Sequence, residues 1–142
     1  VPSSDLDFGE CMISVEISDA IDTVTGVTNI NITEPVINEA PVIISSFQAT
    51  DLVNIGGKIL FIIHANDPEG TDLSFDWSST SGIFNEPVIT VTEDYSESFV
   101  SWTAPDCGID PIEVKVNIAD ADGGITEKIY LPIMLIDAIE CP

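Results

Sequence analysis

An all-β sandwich is the fold class this sequence predicts, and three observations predict it. Apolar and polar residues alternate with period two through segments rich in Val, Ile and Thr. Clusters of Asp, Gly, Pro and Asn break those segments every eight to twelve residues, and no window has helical periodicity. The 142 residues hold one sandwich module of roughly 100 residues with a surplus.

The expected strands follow in order. Val42 to Gln48 is a β-branched run, and Lys58 to Ala65 is apolar almost throughout. Asp72 to Ser78 carries Leu73, Phe75 and Trp77 on one face. Val88 to Thr92 is a short β-branched stretch, and Glu97 to Thr103 sets Val100 and Trp102 in register. Both Trp residues are therefore expected in the core. Ile112 to Ala119 points Ile112, Val114, Val116 and Ile118 one way and Glu113, Lys115 and Asn117 the other, the pattern of a sheet with one wet face. Thr126 to Leu135 completes the set.

Charge excludes whole classes of partner. Against 25 acidic residues stand only Lys58, Lys115 and Lys128, and the formal net charge is -22. Such a surface repels a nucleic-acid backbone and an anionic membrane leaflet alike. Disorder is excluded by 44% hydrophobic residues. Catalysis is narrowed as well. His64 is the only imidazole, so Ser-His-Asp, Cys-His and multi-histidine metal chemistries share one candidate, and no catalytic residue is assigned. His64 is expected to face outward or to be satisfied by a backbone carbonyl. No stretch has the roughly 18 apolar residues that cross a bilayer as a helix.

An internal repeat organises the chain. Moved forward by 101 positions, Ile13 to Ala20 falls on Val114 to Ala121, Thr25 on Thr126, Ile32 on Ile133, Glu39 on Glu140 and Pro41 on Pro142, with eight identities from Cys11 onward. The period is one sandwich module. Residues 1–37 accordingly read as the last two strands of a preceding module with a linker, and residues 38–142 as a complete module.

The residues that follow the linker resemble a family. Asn38-Glu-Ala-Pro-Val-Ile43, Asp67-Pro-Glu-Gly-Thr-Asp72-Leu-Ser-Phe-Asp-Trp77, Gly82-Ile-Phe84, Ser101-Trp-Thr-Ala-Pro105 and Asp120-Ala-Asp-Gly-Gly124 are similar to bacterial and archaeal immunoglobulin-like tandem repeats related to PKD and cadherin-like modules. The resemblance implies an immunoglobulin-like Greek-key sandwich. It also implies a noncatalytic role at the cell surface, in adhesins, S-layer proteins, stalks or secreted hydrolases.

In a Greek-key sandwich of seven strands, the loops between the second and third and between the sixth and seventh share the pole where the chain enters. That gathers Asp67, Glu69 and Asp72 with Asp120 and Asp122, and with Asn38 and Glu39 of the linker. Hard oxygen ligands from several loops suit calcium, whereas the same Asp and Gly residues also suit plain turns. At the opposite pole, Cys107 and Cys141 are placed for a disulfide. Cys11 is left as a buried thiol or as one paired outside the chain.

The partial module raises the question of assembly. Ile13, Val15, Ile17, Ile30 and Ile32 on the inner rows of two strands cannot stand bare, since each is worth roughly 1.5–3 kcal/mol on burial. The cover is expected from neighbouring modules, either in the same polypeptide or in an adjacent chain. In the second case the chain is a filament subunit built head to tail by strand addition, a homopolymer. Carbohydrate binding would rest on Tyr95 and Phe84, the plausible exposed aromatics.

Overall fold

A computed structural model describes residues 9–107 and 111–135. The chain divides into two compact units, Val1–Ile37 and Asn38–Pro142. No helix occurs among the described residues.

In the first unit, β1 (Gly9–Ser18) and β2 (Thr23–Ile32) form an antiparallel hairpin in which every residue is exposed. Cross-strand partners share a face. Cys11 lies opposite Ile30, Ile13 opposite Thr28, Val15 opposite Gly26 and Ile17 opposite Val24, so one face is an apolar strip. The other face carries Glu10, Ser14, Glu16 and their partners Asn31, Val27 and Thr25.

The second unit is a sandwich. One sheet runs in the order β3 (Val42–Gln48), β5 (Lys58–Asn66), β9 (Ser96–Thr103), β7 (Ile83–Phe84), with β8 (Val88–Val91) also on β9. The other runs β11 (Ile125–Tyr130), β10 (Val114–Ala119), β6 (Ser74–Ser79). A short parallel pair joins β4 (Leu52–Val53) to β12 (Ile133–Met134).

Alternation puts the core where the sequence expects it. Ile59, Phe61 and Ile63 of β5, Val100 and Trp102 of β9, and Val114, Val116 and Ile118 of β10 are completely buried. Leu73, Phe75 and Trp77 are partly buried and pack against this core. Trp77 Nε1 donates to the buried Ser98 Oγ at 3.0 Å, and Trp102 Nε1 donates to the Ser81 carbonyl at 3.0 Å. Each indole thus keeps its apolar body inside and its one donor paired. Gly82, at φ +88°, lies flat against the Trp102 ring, where a Cβ would collide with the indole.

The strands differ at three points from those read in the sequence. Thr126 to Leu135 is two strands rather than one, since Pro132 has no N–H to give the ladder and the chain leaves β11 just before it. The strands β4 and β7, each two residues long, escape any test of periodicity. The third concerns the repeat, whose sequence match runs on without a gap while the strand pairing does not. Carrying the pairing of Ile17 with Val24 forward by 101 would set Ile118 opposite Ile125, but Ile118 pairs with Thr126. The β10–β11 turn has five residues, Asp120 to Gly124, with Gly123 at φ +99°. The β1–β2 turn has four, Asp19 to Asp22, because Asp22 and Thr23 stand where the longer turn has its two glycines.

That one-residue slip exchanges the faces of the second strand. In the second unit Thr126, Lys128 and Tyr130 share the inward face of Val114, Val116 and Ile118. In the hairpin, Val24, Ile30 and Ile32 join Ile13, Val15 and Ile17 instead.

Candidate functional site

The acidic loops meet at one end of the second unit. Asn38 Nδ2 donates to Asp120 Oδ2 at 3.1 Å, the Glu39 N–H donates to both Glu69 carboxylate oxygens at 3.2 and 3.3 Å, and the Ala121 N–H donates to Thr71 Oγ1 at 3.4 Å. The carboxylates mostly turn to main-chain N–H groups. Asp120 Oδ1 accepts from Asp122 at 2.9 Å and Gly124 at 2.8 Å, while Asp67 Oδ2 accepts from Thr71 at 2.6 Å. Asp72 and Asp122 have exposed side chains.

Asp120 and Asp67 are each only 8% exposed. Burial alone would raise the Asp120 pKa, but hydrogen bonds from Asn38 and from the N–H groups of Gly124, Asp122 and Gly123 outweigh it and hold the carboxyl below its ordinary value. Asp19, the counterpart 101 residues earlier, works the same way in the hairpin turn. Its Oδ1 accepts from Ile21 and Asp22 at 2.7 Å each, and these bonds lower its pKa.

Among the described residues, no three His, Cys, Asp or Glu side chains gather closely enough to hold a metal ion. Two buried acceptors at this end, Asn38 Oδ1 and Asp67 Oδ1, have no donor. Beside Asp67 lies a polar cavity of about 170 Å³ lined also by Asp72, Glu93, Asp94 and Tyr95. Sequence reasoning missed Glu93 and Asp94, which reach this end on the loop before β9.

Cys107 is disulfide-bonded, and Cys141 lies outside the described residues. Cys11 is free and exposed rather than a buried thiol. Ile13, Val15, Ile17, Ile30 and Ile32 are 44–69% exposed on a single face of the hairpin. Phe84 packs against the core, with its ring centroid 6.2 Å from that of Trp77, and offers no exposed platform.

His64 faces outward from β5, but its partners are side chains rather than a backbone carbonyl. Nδ1 lies 2.9 Å from Ser45 Oγ and Nε2 lies 2.7 Å from Glu97 Oε2. The Tyr95 ring stacks on the imidazole with centroids 4.5 Å apart. Ser45, His64 and Glu97 are consecutive cross-strand partners on β3, β5 and β9.

No family model matches the chain, and no curated protein matches it. Among solved structures, the endo-fucoidan hydrolase MfFcnA4 from glycoside hydrolase family 107 is similar over 90% of this chain, at 20% identity and a TM-score of 0.39. A variant of the same enzyme is similar over 92%, at 22% identity and a TM-score of 0.38. The chain spans 19% of the length of each. Likeness of that degree leaves function to be argued from the chain's own residues.

Proposed function

We propose that the chain is a structural or adhesive module of an extracellular, cell-surface protein, built of immunoglobulin-like Greek-key repeats. The observation that carries this reading is the β1–β2 hairpin. It matches β10–β11 in sequence at a spacing of 101 residues, yet its apolar face is bare, whereas the matching row of Val114, Val116 and Ile118 is completely buried against the opposite sheet. A two-stranded hairpin is marginal in water by itself, so an apolar sheet from a neighbouring module is the natural cover. A disulfide at Cys107 favours an oxidising, extracytoplasmic setting.

The cover comes either from the same polypeptide, giving a tandem array, or from an adjacent chain, giving a filament by strand complementation. Denaturing gels of native material separate the two. One long polypeptide supports the array, and a ladder that collapses to 15.2 kDa supports the filament. Native material that is monomeric at that mass contradicts both.

A second reading, calcium at the acidic end, is favoured by the donorless buried oxygens Asn38 Oδ1 and Asp67 Oδ1. Calcium takes six to eight oxygens, so loop carbonyls and water would complete the shell. A calcium-dependent rise in Tm that is lost in Asp67→Asn supports this reading, and an unchanged Tm contradicts it.

A further inference from the structure

The single imidazole of the chain has a hydroxyl on one ring nitrogen and a carboxylate on the other. We propose that Ser45, His64 and Glu97 form an acyl-transfer site on the outer face of the β3–β5–β9 sheet, with Ser45 as nucleophile, His64 as general base and Glu97 as positioning residue. Small activated acyl esters are the substrate class. This inference goes beyond the repeat-module reading and does not rest on it.

A local irregularity builds the row. Val42 pairs with Asn66 and Ile43 with Ala65, a register that would set Ile44 opposite His64. A β-bulge intervenes, and Ser45 takes that place. Bulges re-aim side chains in this manner and recur beside active sites. Here the bulge replaces an apolar neighbour of the imidazole by a hydroxyl.

A carboxylate only accepts, so Glu97 Oε2, 2.7 Å away, draws a proton of His64 to Nε2. In the neutral imidazole Nδ1 then carries the lone pair and accepts the Ser45 hydroxyl proton across 2.9 Å. That is the state in which an imidazole withdraws a proton from a nucleophile, its far N–H held by a carboxylate. The stacked Tyr95 ring, 4.5 Å away, holds the imidazole plane. Ser45 is exposed on the outermost strand of its sheet, so a small ester reaches it without rearrangement.

The reaction balances within the row and its substrate. Ser45 Oγ forms a bond to the acyl carbon as its proton moves to His64 Nδ1. The tetrahedral adduct then expels the alkoxide or phenoxide, which takes that proton. Water, deprotonated by the same nitrogen, cleaves the acyl-serine to free acid and restores Ser45. No oxidant or reductant is needed.

Incubation of the full chain with p-nitrophenyl acetate, followed by intact-mass measurement and peptide mapping, is the test. With the reaction quenched in acid before the acyl-serine hydrolyses, the expected product is a single acetyl on Ser45, absent in Ser45→Ala and formed about a hundredfold more slowly in His64→Gln. Glu97→Gln slows it as well, and Glu97→Asp restores part of the rate. Nitrogen NMR of the imidazole in the unmodified protein should show the proton on Nε2. Acetylation confined to Lys58, Lys115 or Lys128, Ser45 reacting no faster than in urea-unfolded chain, or a proton on Nδ1 overturns the proposal. The urea comparison and the NMR signal use the natural sequence, so they decide the matter even if a variant fails to fold.

Discussion

Asn38 and Asp120 are joined across 82 residues by a 3.1 Å hydrogen bond from the amide to the carboxylate, which ties the segment before β3 to the β10–β11 turn. Asp120 is the hub of that end, since its other oxygen takes two main-chain N–H groups.

Replacing Asp120 by Ala should therefore lower Tm while leaving the sheets formed. Acid should act at the same bonds. The carboxyl is held below its ordinary value of 3.8, so its contribution is fully present above that pH and is lost as pH falls through the lower folded value. Thermal melts between pH 2 and 7 should show the natural chain losing stability below roughly pH 4 more steeply than Asp120→Asn. Parallel curves contradict this.

Gly124→Ala tests the same junction by crowding. A Cβ there runs into Asp120 Oδ2, the Ala40 backbone and the Asn38 amide. Overpacking of this kind costs about 1–3 kcal/mol, which chemical denaturation measures. Gly70→Ala is the control, since its Cβ would meet nothing within 4 Å and only its φ of +76° opposes the change.

Ser98 sits in the core as the acceptor for Trp77 Nε1. Ser98→Ala leaves that indole donor without its partner, at a cost of about 1–3 kcal/mol in urea unfolding. Phe61→Ala, which empties a fully buried site, should cost more, about 3–5 kcal/mol.

Much of the second unit was legible because alternation is a local signal. The burial of Val114, Val116, Ile118, Val100 and Trp102 follows from side chains two apart sharing a face. Pairing is not local, and that is where reading failed. The partnership of His64 with Ser45 and Glu97 depends on a bulge at Ile44 and on strands 19 and 33 residues away. The repeat was visible as identities, yet the shorter turn at Asp19 exchanges the faces of β2, a consequence of backbone φ rather than of residue matching. At the acidic end Asn38 meets Asp120 and Glu39 meets Glu69, while Asp72 and Asp122 stand exposed. The carboxylates' hydrogen bonds to main-chain N–H groups were legible only as the alternative turn reading.

The bare apolar face of the hairpin is the centre of the account, and sedimentation equilibrium of the chain beside Val15→Asp addresses it most directly. Concentration-dependent association of the natural sequence is expected, abolished by the charged substitution without a change in the melt of the second unit. Two chains that both remain monomeric at about 100 times the concentration used for the melts, with β1 and β2 amides protected from exchange, would contradict it.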